Sequence, residues 1–220
     1  MTRDITFRAL SLMLTVIVVA CSPETNGTDS APTPTTARIT DDPDDRPRLL
    51  TTEDILAVPG APRDLEEVDT RDAPIYENPD PRGPCGAKMK QPPRAGELVT
   101  FRAEGFLIAE RLFEMEESSA EDLIAAYRED IDPNCPSFTS QTHTAALQQN
   151  DFLHEVELPA DLGNAVATMS YVQFEGSLPL YAGMAIFEED GTLGFLSVAS
   201  GAEIPDALLR GITEQAVSKI

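Results

Sequence analysis

The sequence predicts an α+β fold, with a central and a C-terminal helix packed on an antiparallel β-sheet and one disulfide holding the domain. Apolar and polar residues alternate in several stretches between residues 98 and 199, as is typical of antiparallel strands. Two other stretches place apolar residues at helical spacing, one near the middle of the chain and one at its end. One cysteine, Cys85, lies before these stretches and another, Cys135, lies among them.

The folded part is expected to begin at Leu49, with a short helix directly after it. Thr51 is followed by Glu53 and Asp54, which is the pattern of a capping residue followed by acids in the first helical turn. Pro59-Gly60 ends this helix. Residues 61–96 are crowded with proline and lack periodicity, which predicts an irregular segment around Cys85.

Two strands and a helix are predicted next. Residues 98–102 and 106–115 alternate around Gly105, as paired strands do. The stretch 118–122 resembles a capping box, and a helix from there ends before Pro133. Its apolar residues recur at helical spacing, at Leu123, Ile124, Tyr127 and Ile131.

The last third of the chain predicts more strands and a final helix. The strands are residues 152–158, 165–174, 180–187 and 192–199. The Asp190-Gly191 step between the last two is a strong hairpin signal. Residues 205–220 carry an apolar stripe, with Pro205 at the start, and predict a helix that caps the sheet.

The first 20 residues have the parts of an export signal. Arg3 and Arg8 precede an apolar run over residues 9–19, which is shorter than the roughly 20 apolar residues that a membrane span needs. The following Val18-Val19-Ala20-Cys21 resembles the bacterial lipobox. That resemblance implies that residues 1–20 are a lipoprotein signal peptide and that Cys21 carries acyl chains such as palmitate in the outer leaflet of the cell membrane. An ordinary cleaved signal peptide is the alternative.

Residues 21–48 are expected to be a tether. They are rich in Ser, Thr, Pro and Asp and have almost no large apolar residue, so burial cannot offset the entropy of ordering them. A flexible chain of this length reaches about 30 Å. The acidic cluster at 41–45 is interrupted by Pro43 and has no distal Glu, so a solvated linker is favoured over a calcium loop.

Composition excludes some partners. The formal net charge is −22, and the lysines are confined to Lys88, Lys90 and Lys219. Nucleic acid binding requires clustered basic residues, so it is not expected, and anionic headgroups would repel the domain. The excess of Arg over Lys, with abundant Ala, Gly and Pro, favours a high-GC genome such as that of an actinobacterium.

Cys85 and Cys135 are expected to form a disulfide, because cysteines of an exported domain in an oxidising compartment normally pair. The bond would tie the Pro-rich segment to the end of the central helix. A redox or metal role is disfavoured, since neither Cys-x-x-Cys spacing nor a neighbouring histidine occurs.

No catalytic constellation, metal site or cofactor motif is recognisable. The histidines, His143 and His154, are not at ligand spacing, and His154 falls in phase with Phe152 and Val156 on one face of a predicted strand. Neither a nucleophile elbow nor a phosphate-binding loop occurs. We therefore expect a protein that is not an enzyme.

A small-ligand site is most plausible around the aromatic residues of the later strands. These are Tyr171, Phe174, Tyr181 and Phe187. Aromatic residues at strand spacing are more often plain core, so no ligand-binding residue is assigned.

The order of these features resembles the extracellular sensor domains of the mycobacterial Ser/Thr kinase PknH type. The resemblance covers residues 49–220 and rests on the Leu-Leu-Thr start, Pro84-Cys85, the helix leading into Cys135 and the final AVSKI helix. It implies an antiparallel sheet with helices on one side and a cleft for an unidentified envelope ligand. The predicted function is a sensor or binding lipoprotein; a carrier of hydrophobic molecules and an accessory subunit of an envelope complex are the alternatives.

Overall fold

The computed structural model describes residues 48–68, 82–90, 96–141, 147–174 and 177–220. Residues 48–220 form one compact unit. Its helices are α1 (Thr52–Leu56), α2 (Glu117–Glu129), α3 (Asp206–Val217) and a 3₁₀ turn (Ala160–Leu162). Its strands are β1 (Glu66–Val68), β2 (Glu97–Ala103), β3 (Phe106–Glu114), β4 (Phe138–Gln141), β5 (Leu147–Val156), β6 (Asn164–Phe174), β7 (Leu180–Glu189) and β8 (Thr192–Ser200).

The strands form one antiparallel sheet in the order β1-β2-β3-β8-β7-β6-β5-β4. After β3 the chain leaves the centre of the sheet, passes through α2 and reaches the opposite edge at β4. It then returns strand by strand until β8 pairs with β3, joining Phe106 to Ser200 and Glu114 to Thr192. The predicted α+β class is confirmed.

The β7–β8 hairpin turns through Asp190 and Gly191. Both have positive φ, of 47° and 78°, as a type I′ turn requires, and Glu189 pairs with Thr192. The Asp-Gly signal in the sequence therefore located this turn correctly.

The sheet is covered by helices on both faces. On the face that we call the α3 face, α1 and α3 pack on a core that includes Ile108, Ala185 and Leu196. On the opposite, α2 face, Leu123, Ile124 and Tyr127 of α2 pack on side chains of β3, β6, β7 and β8. This differs from the one-sided arrangement that the family resemblance implied.

Several predicted boundaries also differ from the structure. Helix α2 begins at Glu117, and its N-cap Glu116 makes no side-chain capping bond, so the capping box expected at 118–122 is absent. The short edge strands β1 and β4 were missed, β1 lying inside the segment predicted to be irregular. The Thr51 cap of α1 is confirmed as a reciprocal capping box with Asp54.

Strand β5 contains a bulge that the sequence pattern did not reveal. Phe152 pairs with Ser170 but His154 pairs with Met169, so the register shifts at Leu153. Phe152 consequently lies on the α2 face, whereas His154 and Val156 lie on the α3 face. The prediction that these three share one face is wrong.

Candidate functional site

The disulfide between Cys85 and Cys135 is present, with 5.4 Å between the Cα atoms. It fastens the Pro-rich segment beside the C-terminal end of α2. Asp130, the residue that ends α2, reinforces the attachment, because its Oδ2 accepts hydrogen bonds from the backbone N–H of Cys85 at 2.8 Å and of Ala87 at 3.2 Å. In these contacts the Cys85–Cys135 disulfide has a structural role.

The aromatic residues considered from sequence do not form one site. Tyr171 and Tyr181 lie opposite each other on β6 and β7, with their ring centroids 5.2 Å apart in an edge-to-face arrangement. Phe187 is fully buried on the same face, in the core beneath α3. Phe174 lies on the opposite face, because it is an odd number of residues from Tyr171 along the strand. For Phe187 the core interpretation holds.

His154 makes a surface contact. Its Nε2 lies 2.8 Å from Oδ1 of Asp206, the first residue of α3, and both side chains are about half exposed. Nearby, Nε of Arg210 donates to the backbone carbonyl of Glu157 at 2.7 Å. These contacts attach the start of α3 to β5.

An apolar surface lies on the α2 face, beyond the part of the sheet that α2 covers. We call it the open face. Register places its side chains together, since Leu107 pairs with Ala199, Ala109 with Ser197, Ser197 with Met184 and Ala199 with Ala182. Leu107 is 36% exposed and Met184 39% exposed, and the small side chains between them leave the surface nearly flat. Its members are Leu107, Ala109, Ala182, Met184, Ser197 and Ala199.

The open face is bounded by an aromatic and cationic group beside α2. Phe195 meets the buried Phe113 edge to face, with 5.7 Å between the ring centroids. The guanidinium of Arg111 lies 4.9 Å from the centroid of the same Phe113 ring. Arg111 and Ala109 follow one another along this face of β3, so a positive charge adjoins the apolar surface.

A concavity of about 440 Å³ lies where β5 leads into the 3₁₀ turn. Val156, Leu158 and Val166 contribute apolar lining, and Glu155 and Arg128 contribute charged lining. The guanidinium of Arg128 donates to Asn164 Oδ1 at 3.0 Å and to the Ala165 carbonyl at 2.8 Å. Arg128 therefore joins the end of α2 to the start of β6, which is a structural function.

Other residues singled out from sequence lie outside the described residues. These are Cys21, the acidic cluster at 41–45 and His143. In the described ranges, no helix is both long and apolar enough to cross a membrane. Nor do three or more His, Cys, Asp or Glu side chains of these ranges cluster in a way that could hold a metal ion.

The open face was missed from sequence. Its signal is present, because β3 and β7 carry apolar residues on both faces, as Leu107 and Ile108 illustrate. Apolar residues on both faces are typical of a strand that is buried on both sides. Periodicity alone does not reveal which half of a face its covering helix leaves open.

Comparisons with known proteins yield a distant structural likeness. No family model matches this chain, and no curated protein matches it in sequence. Among solved structures, the extracellular domain of PknH from Mycobacterium tuberculosis is similar with a TM-score of 0.48 and 11% sequence identity. The match covers 78% of this chain and 93% of that domain.

Proposed function

We propose that the protein is a lipid-anchored, extracytoplasmic lipoprotein whose domain is not catalytic and binds an envelope ligand on its open face. The single observation that supports the binding site is the exposure of Leu107 and Met184 together on a flat sheet surface. Exposed apolar clusters of this kind mark interaction surfaces, because contact with water makes them costly to leave uncovered.

The anchor rests on the lipobox-like Val18 to Cys21 and on the apolar run before it. Replacement of Cys21 by Ser removes the thiol that would carry the diacylglycerol. We expect the variant to lose incorporation of labelled fatty acid and to leave the membrane fraction, while an Ala substitution of the neighbouring Ser22 changes neither. A Cys21→Ser variant that still incorporates the label would exclude this anchor.

The open face is tested by site-specific photo-crosslinking in the native envelope. A photoreactive amino acid at Met184 or at Leu107 should give a discrete adduct, because both side chains reach outward from the face. The matched control is Leu178, which is 52% exposed and lies outside the face. Equal labelling at all three positions, or none at Leu107 and Met184, would refute a specific site.

The mass of the adduct distinguishes the classes of ligand. A small adduct would identify a lipid or another small molecule, whereas a protein adduct would favour an accessory subunit of an envelope complex. The latter is our second candidate function, since an exposed, nearly flat apolar surface suits a protein partner.

An enclosed lipid site beneath α3 is disfavoured by packing. Gly183 lies under α3, and a Cβ placed on it would come within 2.9 Å of the Leu209 side chain and 3.2 Å of the Met169 sulfur. No room for an acyl chain remains at that point.

A further inference from the structure

The start of the folded domain, the helix that directly follows it and the end of the chain meet on the α3 face of β3. The first is Arg48 to Thr51, whose Leu49 and Leu50 are both buried. The Arg48 guanidinium donates to the Glu114 carboxylate and to the Thr192 hydroxyl. The second is α1, and the third is the segment just after α3, where Nζ of Lys219 lies 2.8 Å from Oδ2 of Asp54.

Glu110 lies at the centre of this meeting point and is 0% exposed. Its Oε2 accepts a hydrogen bond of 2.6 Å from the backbone N–H of Leu50. Its Oε1 has no hydrogen-bond partner within the described part of the chain. The side chain that holds the Arg48–Thr51 segment on β3 is thus a buried carboxyl with one oxygen unsatisfied, which is costly if the group is charged.

The charged groups that act on the Glu110 carboxyl come from α1, from β2 and from the segment after α3. Burial raises the pKa of Glu110 to about 7. The Leu50 hydrogen bond and the Lys219 ammonium oppose that rise, whereas Asp54 of α1 and Glu97 of β2 add to it. Because Lys219 is already paired with Asp54, its charge only partly compensates Glu110.

We propose that Arg48–Thr51 is a proton-controlled clasp, docked on β3 while Glu110 is protonated and released more readily once Glu110 has lost its proton. When the clasp is released, water can donate hydrogen bonds to both oxygens of the Glu110 carboxylate.

The direction in which pH changes the docking of the clasp follows from thermodynamic linkage. The docked state binds the Glu110 proton more tightly than a hydrated state with the ordinary pKa of 4.5. Docking is therefore unaffected by Glu110 below about pH 4.5, weakens as the pH rises to about 7, and is constant above that. Between about pH 5 and pH 8 the docking equilibrium should fall by about 70-fold.

Hydrogen exchange of the full chain tests the clasp. The Leu50 amide is followed from about pH 5 to pH 8, with its rate corrected for intrinsic exchange, and its protection factor should fall by about 70-fold. The amide of Ile186, in the core, serves as an internal reference and should not follow this loss. An equal loss of protection at both amides, or a constant value at Leu50, would overturn the proposal.

Two variants make the test specific to Glu110. Glu110→Gln cannot titrate, so the Leu50 protection factor should become flat with pH, whereas Glu114→Gln should lower protection and keep the slope. If Glu110→Gln does not fold, Lys219→Met replaces it, because removing the ammonium raises the pKa of Glu110 and moves the midpoint of release to higher pH. A midpoint that stays in place or moves down would contradict the clasp.

Residue 48 continues directly into the segment that the sequence predicts to be a tether. Release of the clasp would then add its residues to that tether. This consequence depends on the proposed anchoring, whereas the exchange experiment tests the clasp independently of it.

Discussion

Tyr127 and Thr168 form a buried hydroxyl pair between α2 and β6. The two oxygens are 2.8 Å apart, and both residues are buried. Burial also raises the pKa of Tyr127 to about 12, so the phenol stays neutral at ordinary pH. This buried hydroxyl pair is a directional contact between α2 and the sheet, in addition to the hydrogen bonds that Arg128 donates to the start of β6.

Replacement of Tyr127 by Phe should lower the free energy of unfolding by about 1–2 kcal/mol, because Thr168 is left buried without its partner. Thr168→Val should cost a similar amount. The double variant should lose less than the sum, since no polar group then remains unpaired, and urea denaturation of all four proteins measures the coupling. Strict additivity would mean that the pair contributes nothing.

Gly194 shows how closely the centre of the sheet is packed. A Cβ placed on it would overlap the Phe187 ring, which is fully buried. Gly194→Ala should therefore cost about 1–3 kcal/mol or more, measured as a lower denaturation midpoint. Gly201→Ala is the matched control, because no atom lies within 4 Å of the added Cβ and Gly201 lacks a positive φ. A similar loss in the control would indicate a cause other than crowding against Phe187, because Ala in place of an unstrained Gly lowers the entropy of the unfolded chain and does not by itself destabilise the fold.

Few residues of the candidate site could be predicted from sequence. The cysteine pair could, because the sequence predicts export and two cysteines of a domain in an oxidising compartment are expected to pair. Glu110 could not, since a lone carboxylate between Ala109 and Arg111 in a strand looks like a solvent-facing residue. Its burial results from Leu49 and Leu50 lying across it, which is a contact between residues about 60 positions apart.

At the scale of elements, the disulfide compensates for the irregularity of the Pro-rich segment. Cys85 and Cys135 are 50 residues apart in sequence. Replacing both with Ser should lower the free energy of unfolding by about 4 kcal/mol on the chain-entropy model. Asp130→Asn, which keeps the bond but weakens the hydrogen bonds to Cys85 and Ala87, should cost about 1 kcal/mol. Guanidinium denaturation distinguishes the two, and equal losses would contradict a dominant role for the bond.

The sequence predicted long elements better than short ones. Strands β3, β6, β7 and β8 and helix α3 were located because each has at least nine residues with a sustained period. Strand β1 has three residues and β4 has four, which is too few for a pattern to emerge. The bulge at Leu153 was not predicted, because one inserted residue moves every later side chain of the strand to the opposite face.

At the scale of the whole molecule, the net charge of −22 implies self-repulsion at neutral pH. Added NaCl should therefore raise the melting temperature at pH 7 by screening this repulsion. The same salt series near the sequence pI of about 4.2 serves as the control, because the net charge there is small and little change is expected. An equal rise at both pH values would indicate a cause other than charge.

The strand order was beyond prediction from sequence. Alternation identifies which residues form strands but not which strands are neighbours, and the pairing of β3 with β8 joins residues separated by the whole β4–β7 meander. Helix α2, which connects β3 to the far edge, packs on one face of the sheet, and α3, which follows β8, packs on the other.

The insertion of β8 between β3 and β7 also has a kinetic consequence. Until Thr192–Ser200 is available, the β1–β3 and β4–β7 parts present two unpaired edges, and neither half of the core beneath α3 is complete. High contact order of this kind slows folding, and exposed edges invite aggregation. A chain in which Thr192–Ser200 is not yet available therefore cannot complete this core, and the edges of β3 and β7 stay open to pairing with other chains.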